Sequence, residues 1–286
     1  MTTKVKKPHY VFRSYLKRWV DERDQIHVFN LTENKDYSSN IKNCAVEDKL
    51  TWLPNIIGDS KLKLEQKSAE IEIIPDDVFK KIDYHGTQGL STEEKYVLVR
   101  LILHLRKMQP EVLRDSIIQS KKEFLNSALK QGVFRQAIVA GSDIASEILV
   151  DMYTNPKEIS DQISKLIERD KLTNISSIKL NITKARFITS NSPVISFKDK
   201  NREGTSHILP ISPTICIFLL TSHHIEDLRK LCSDEESLVS DINKLIAGFY
   251  DQKLVKYHQI YCKIDQKDYV RNLLKEPNLI TLNPQV

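Results

Sequence analysis

Glycine is scarce in this chain: 7 of 286 residues, about a third of average usage. The seven stand at positions 58, 86, 89, 132, 141, 204 and 248, and no two are separated by a single residue. A G-x-G-x-x-G fingerprint is therefore absent, and no Gly-Lys pair closes a phosphate loop. The folds whose bare backbone amides cradle a dinucleotide or a triphosphate are excluded. Any phosphate chemistry must run through arginine, lysine and histidine side chains. No nucleotide cofactor is expected, and no other cofactor.

Cysteine is also sparse. Cys44, Cys216, Cys232 and Cys262 form no C-x-x-C pair and are scattered over most of the chain, which resembles neither a disulfide framework nor a zinc ribbon. Reduced, buried thiols are expected, and with them a cytoplasmic location. Long apolar runs are missing as well. The longest, residues 215–220, falls far short of the roughly 20 residues that span a bilayer. Lys4, Lys6 and Lys7 are followed by no apolar segment of a signal peptide, so no membrane partner is expected. The charge, 43 Lys plus Arg against 38 Asp plus Glu, is +5 over 33.1 kDa; it permits an acidic partner without demanding one.

Metal signatures are weak. His223-His224-x-Glu226-Asp227 lacks the H-E-x-x-H spacing, and Glu65-Gln66-Lys67 sits in a helix pattern instead of on the strand a restriction-type nuclease requires. No metal site is expected.

What is present reads as α+β, a single domain over residues 1–286 with three sub-regions. Residues 1–60 form an arm and a strand hairpin. Tyr15, Leu16, Trp19 and Val20 share a helical spacing, residues 21–24 make a charged turn, residues 25–30 alternate as a half-buried strand, and residues 40–46 offer a second strand across the polar run 32–39. Residues 61–170 form a helical bundle of four or five members. In it Pro75 breaks a helix over 61–82, and Ser91 with Glu94 forms a capping box for a helix apolar at 97, 98, 101, 102, 105 and 108. Further helices cover about 111–131, 133–153 and 157–170. Residues 171–286 form a mixed or antiparallel sheet with flanking helices: strands near 175–182, 185–189, 194–197, 206–209, 214–220 and 254–261, helices near 223–232, 234–250 and 266–274.

Four segments carry a resemblance. They are His9-Tyr10-Val11-Phe12-Arg13-Ser14-Tyr15-Leu16-Lys17-Arg18-Trp19; Leu90-Ser91-Thr92-Glu93-Glu94 leading to Leu105-Arg106-Lys107; Arg186-Phe187-Ile188-Thr189-Ser190-Asn191-Ser192-Pro193-Val194; and Leu209-Pro210-Ile211-Ser212-Pro213. In order and spacing they resemble the bacterial domain-of-unknown-function family DUF4238, with its opening His-Tyr-Val-Pro-x-x-Tyr-Leu-x-x-Phe, a central helix ending in arginine, Phe-Ile-x-Ser-Asp-x-Pro-Val, and Pro-Leu-Ser-Pro. Phe12 stands where that family usually has proline, and Asn191 where it usually has aspartate. An amide neither titrates nor carries charge, so Asn191 cannot replace a carboxylate base or metal ligand. The resemblance implies a bacterial, soluble protein of the accessory-genome or defence type, and no common chemistry.

The candidate residues follow from these segments. His9, where the arm meets a helix, reads as a general acid or base, and Arg13 as a phosphate clamp, with Tyr10 beside them for binding; alternatively His9 and Arg13 only fasten the arm. Arg100, His104 and Lys107 fall at i, i+4 and i+7, close to the Arg/His pairing of helical ribonucleases but one residue short of that motif's usual shortest spacing; alternatively they are a solvated stripe. Arg106 lies nearer the apolar side and needs a partner, sought around Ser190 and Asn191, which form a turn that either contacts ligand or makes Asx-type hydrogen bonds. Two functions follow. One is a metal-independent nuclease or nucleic-acid-acting protein with His9, Arg13, His104 and Arg106 as catalytic residues and Tyr10, Arg100, Ser190 and Asn191 as binding residues. The other is a non-enzymatic binding or regulatory module of a defence system. The two differ in whether these residues converge on one cavity. Oligomeric state stays open.

Overall fold

The computed structural model describes residues 9–46, 75–107, 172–180, 186–197, 205–221, 234–248 and 258–276. Tyr15, Leu16 and Trp19 repeat at a helical spacing, and all three are fully buried along helix α1 (Arg13–Leu16) and the 3-10 turn after it (Lys17–Trp19). Asp21 then turns the chain. Its Oδ1 accepts from the Arg23 and Gln25 amides at 2.9 and 2.8 Å, and Asp24 takes a φ of 56°, a left-handed conformation that aspartate tolerates. Strand β1 (Gln25–Asn30) follows where the alternation places it.

The second strand does not lie at 40–46. Strand β2 is Lys35–Asn40, inside the polar run read as a connection, and residues Ile41–Asn43 make a 3-10 turn capped by Asn40 Oδ1. The physical reason is position. Strand β2 is a sheet edge with Lys35, Asp36, Tyr37 and Ser38 exposed, and an edge strand facing water needs no apolar alternation.

Pro75, read as breaking the helical pattern over 61–82 in two, opens the second piece, and residues 61–74 lie outside the described residues. It begins α2 (Pro75–His85), where its missing N–H costs nothing and Asp76 and Asp77 suit the positive end of the helix. Gly86 ends that helix with φ 64°, its amide donating back to Ile82 O at 2.9 Å. Helix α3 (Thr92–Lys107) starts on the expected capping box: the Glu94 amide donates to Ser91 Oγ at 3.3 Å and the Ser91 amide to Glu94 Oε2 at 2.9 Å. Leu98, Val99, Leu101, Ile102 and Leu105 are its buried face. The helices expected over 111–131, 133–153, 157–170 and 223–232 lie outside the described residues, as do Glu65-Gln66-Lys67 and His223-His224.

The sheets confirm an α+β chain. Strands β3 (Leu172–Lys179), β5 (Ile195–Phe197), β6 (Ser206–Ser212) and β7 (Ile215–Thr221) form one antiparallel sheet in the order β3-β7-β6-β5. Strands β4 (Thr189–Ser190) and β8 (Gln259–Cys262) join the N-terminal hairpin in a second, in the order β2-β1-β8-β4. Strand β8 is central there, with Tyr261 opposite Val28 on one side and Thr189 on the other. The hairpin read as a separate N-terminal sub-region therefore shares its sheet with C-terminal strands.

Two strand boundaries differ from the reading. Strand β6 runs through Pro210 to Ser212, because a register shift between them accommodates the absent proline N–H. The strand expected at 185–189 shrinks to β4, because the Phe187 amide donates to Pro213 O at 2.9 Å and the Ile188 amide to Asn243 Oδ1 at 3.0 Å. Asn243 is fully buried on helix α4 (Glu235–Gly248), and its Nδ2 donates to Arg186 O at 2.9 Å. Helix α5 (Lys267–Leu273) closes the described chain, preceded by a 3-10 turn whose Gln266 Nε2 donates to Phe187 O at 3.2 Å.

His258 precedes β8 and is fully buried, its Nε2 donating to Ile246 O at 3.3 Å on α4. Burial lowers its pKa from 6.5 to about 4. The folded imidazole is thus neutral where the unfolded one is charged, so the unfolded state binds the extra proton and stability falls as pH drops from 6.5 toward 4. Urea unfolding across that window is expected to show a loss of up to about 3 kcal/mol in the wild type, and a clearly smaller pH dependence in His258→Gln. Equal slopes would contradict the assignment.

Candidate functional site

The arm is held by hydrogen bonds that cross almost the whole chain. His9 bridges Val46, the Tyr10 amide donates to Ala45 O at 3.0 Å, and the Ala45 amide donates to Tyr261 Oη at 3.1 Å. The Tyr261 hydroxyl in turn donates to Gln259 Oε1 at 2.6 Å. Burial raises the Tyr261 pKa well above its ordinary value, so this phenol stays protonated and is a hydrogen-bond relay in the scaffold.

Asn191 meets this network from the other side. The Asn191 amide donates to Gln259 O and Asn191 Oδ1 accepts from the Gln259 amide, both at 3.0 Å. The side-chain carbonyl thus stands in for a ladder acceptor where β4 ends. Its Nδ2 donates to Tyr10 Oη at 3.3 Å. A carboxylate at this position keeps the acceptor for Gln259 and requires the Tyr10 hydroxyl to donate where it now accepts. Ser190 Oγ accepts from the Ser192 amide at 3.1 Å. Ser190, Asn191 and Ser192 are all buried; the structure uses the turn in the Asx-like manner.

The arm also touches α3. The ring of Phe12 stacks on His104, centroids 4.9 Å apart with 15° between planes. Of the stripe that alternatively reads as solvated, Arg100 and His104 are half-buried, as is Arg106 nearer the apolar side, while Tyr96 and Glu93 at the other end of α3 are exposed. Arg13, one residue after Phe12, is exposed. So the arm is the common element: it brings Tyr10 to Asn191 and Phe12 to His104, with His9 and Arg13 flanking both contacts. Two surface clefts among the described residues are lined by none of His9, Tyr10, Arg13, Arg100, His104, Arg106, Ser190 or Asn191.

Cys44 and Cys262 are poor nucleophiles, since burial pushes their thiols up to about 11 and about 12. Among the described residues no group of three or more His, Cys, Asp or Glu is arranged to hold a metal ion. Sequence reasoning missed Gln259 and Tyr261 as partners of the arm. The available signal was two polar-tipped residues at i and i+2, on one face of a strand otherwise composed of Ile260 and Cys262.

The class these features define is an α+β scaffold of two antiparallel sheets, with an N-terminal arm latched to their junction and to a helix. The profile of the family described as protein of unknown function (DUF4238) matches residues 7–256 of the 286. The chain belongs to that family. No curated protein and no solved structure matches it.

Asn191→Leu removes the acceptor of the Gln259 amide and a donor to Tyr10, and is expected to cost about 2–4 kcal/mol in urea unfolding at neutral pH. Asn191→Asp is expected to cost clearly less, because the Tyr10 hydroxyl can reverse its role. A leucine variant as stable as the wild type would show that the amide holds nothing.

Proposed function

We propose that this protein is a cytoplasmic, single-domain binding module that engages nucleic acid through the basic face where the arm meets α3. It acts in the accessory or defence setting that the family resemblance implies. The observation that carries this reading is the Phe12–His104 stack. It docks the arm that carries the exposed Arg13 on a helix face that His104 shares with Arg100, so arginines of both elements flank the contact. Buried thiols at Cys44 and Cys262, far from the pairings of a disulfide framework, support a reducing compartment. No helix among the described residues is long and apolar enough to cross a membrane.

The same stack gives the enzymatic reading its support. It brings His104 to the arm that carries His9 and Arg13, and a metal-independent phosphodiester cleavage would use the two imidazoles for proton transfer and Arg13 and Arg106 for phosphate charge. Against it stands the engagement of Tyr10, Ser190 and Asn191 in the scaffold.

Labelled single-stranded RNA and DNA, titrated by fluorescence anisotropy in EDTA, separate the two. Binding is expected to weaken linearly on a log–log salt plot. Removal of Arg13 or Arg100 by alanine is expected to lower the slope by about 1 each, with the nucleic acid left intact. Cleavage in EDTA that His9→Ala or His104→Ala abolishes would establish the enzyme instead, and absence of binding at low salt would overturn both.

A further inference from the structure

A second basic feature lies away from the arm, at the junction of the two sheets. A cleft of about 540 Å³ opens beside the β6–β7 turn, lined among others by Arg18, Asp83, Lys179, Arg186, Thr214 and Lys263. Four cations face one carboxylate, a net charge of +3 from the lining side chains. The neighbouring cleft, which shares Lys263, sets Asp21, Glu22 and Asp265 against Arg23 and that lysine and is net acidic. The positive charge is therefore local to one concavity.

The cations differ in how they are held. Arg18 is fixed as a wall: Nε donates to Ile211 O at 2.7 Å, both terminal nitrogens grip Asp83, and the guanidinium lies 5.1 Å over the Phe79 ring. Asp83 is thereby neutralised. Arg186 pairs at 2.6 Å with Asp265, which is more than half exposed and outside the lining. Lys179 Nζ donates once, to Asp83 O at 2.9 Å, and an ammonium has three donors, so two remain. Lys263 is half-buried and belongs to no ion pair among the described residues. Two ammonium groups with spare donors, a guanidinium edge and the Thr214 hydroxyl thus converge on one concave space.

The cleft is also where three of the four resemblance segments meet. Arg18 comes from the first, Arg186 from the third, and Ser212 and Pro213 from the fourth. The Phe187 amide donates to Pro213 O at 2.9 Å and the Leu180 amide to Thr214 O at 2.8 Å, which ties the β6–β7 turn to the segments on either side of it.

We propose that this cleft is a binding site for the phosphate group of a small phosphorylated molecule, a monoester or diphosphate, held by Lys179, Lys263 and Arg186 with Thr214 donating from the turn. A dianion matches the two ammonium charges that no carboxylate offsets, and a surface concavity of about 540 Å³ takes a compact ligand. The site shares no residue with the arm face and stands or falls separately from it.

The test is calorimetric titration of the full chain with inorganic pyrophosphate at low salt. Saturable 1:1 binding is expected, weakened about tenfold in Lys263→Gln and in Lys179→Gln and largely retained in Lys263→Arg. Lys80→Gln, an exposed α2 lysine paired with Asp77, is expected to bind as the wild type does. Thermal melts of each variant establish that the fold is intact. A labelled oligonucleotide added in competition is expected to leave the pyrophosphate affinity unchanged. No saturable binding, equal weakening by Lys80→Gln, or full displacement by the oligonucleotide would overturn the proposal.

Discussion

The hydroxyl of Tyr15 touches both sheets at once. It donates to the Pro210 carbonyl in β6 and shares a hydrogen bond with Thr189 Oγ1 in β4, each at 2.6 Å, and the residue is fully buried. A phenol has one proton, so the donation to Pro210 requires the threonine hydroxyl to donate into the phenol oxygen. Desolvation holds the Tyr15 pKa far above its ordinary value, and the group stays a neutral donor at any physiological pH. Arg18, one turn on, bonds the next carbonyl of β6, at Ile211. Both carbonyls lie at the register shift between Pro210 and Ser212, where a proline has left the ladder irregular. The N-terminal helix thus completes the hydrogen bonding of a strand nearly two hundred residues away, and the seam between the sheets depends on it.

That dependence accounts for why the opening segment carries so much of the family pattern. Tyr10 reaches Asn191 and Tyr15 reaches Thr189 and Pro210, so the first, third and fourth resemblance segments are three sides of one contact. The aromatic and amide side chains in them that looked chemical serve as buried connectors. Charge falls at the edges of this contact: Arg13 on the arm that meets α3, and Arg18 and Arg186 where the sheets meet. Function is sought at those edges.

Local devices were legible from the chain. The capping box of α3 needs only Ser91 and Glu94, three residues apart, and the alternation of β1 locates the strand, although both of its faces are buried and not one alone. Strand β2 was misplaced because an edge strand in water has no periodic demand. Strand β6 was cut short at Pro210 because the bulge that tolerates the proline is set by its partner β7. At the candidate site the residues named from the segments proved to be neighbours in part, Tyr10 with Asn191 and the arm with His104. Their third partner, the Gln259–Tyr261 stretch of β8, is distant in sequence, and its two polar-tipped residues do not by themselves say that the strand pairs with both β1 and β4.

The latch is tested most directly by the unfolding free energy of Tyr15→Phe, which removes one oxygen and leaves the ring in place. The Pro210 carbonyl and the Thr189 hydroxyl then lose a buried partner, and a loss of about 2–4 kcal/mol in urea unfolding is expected. A change below about 0.5 kcal/mol, the size of an ordinary surface substitution, would contradict the claim that this hydroxyl joins the sheets.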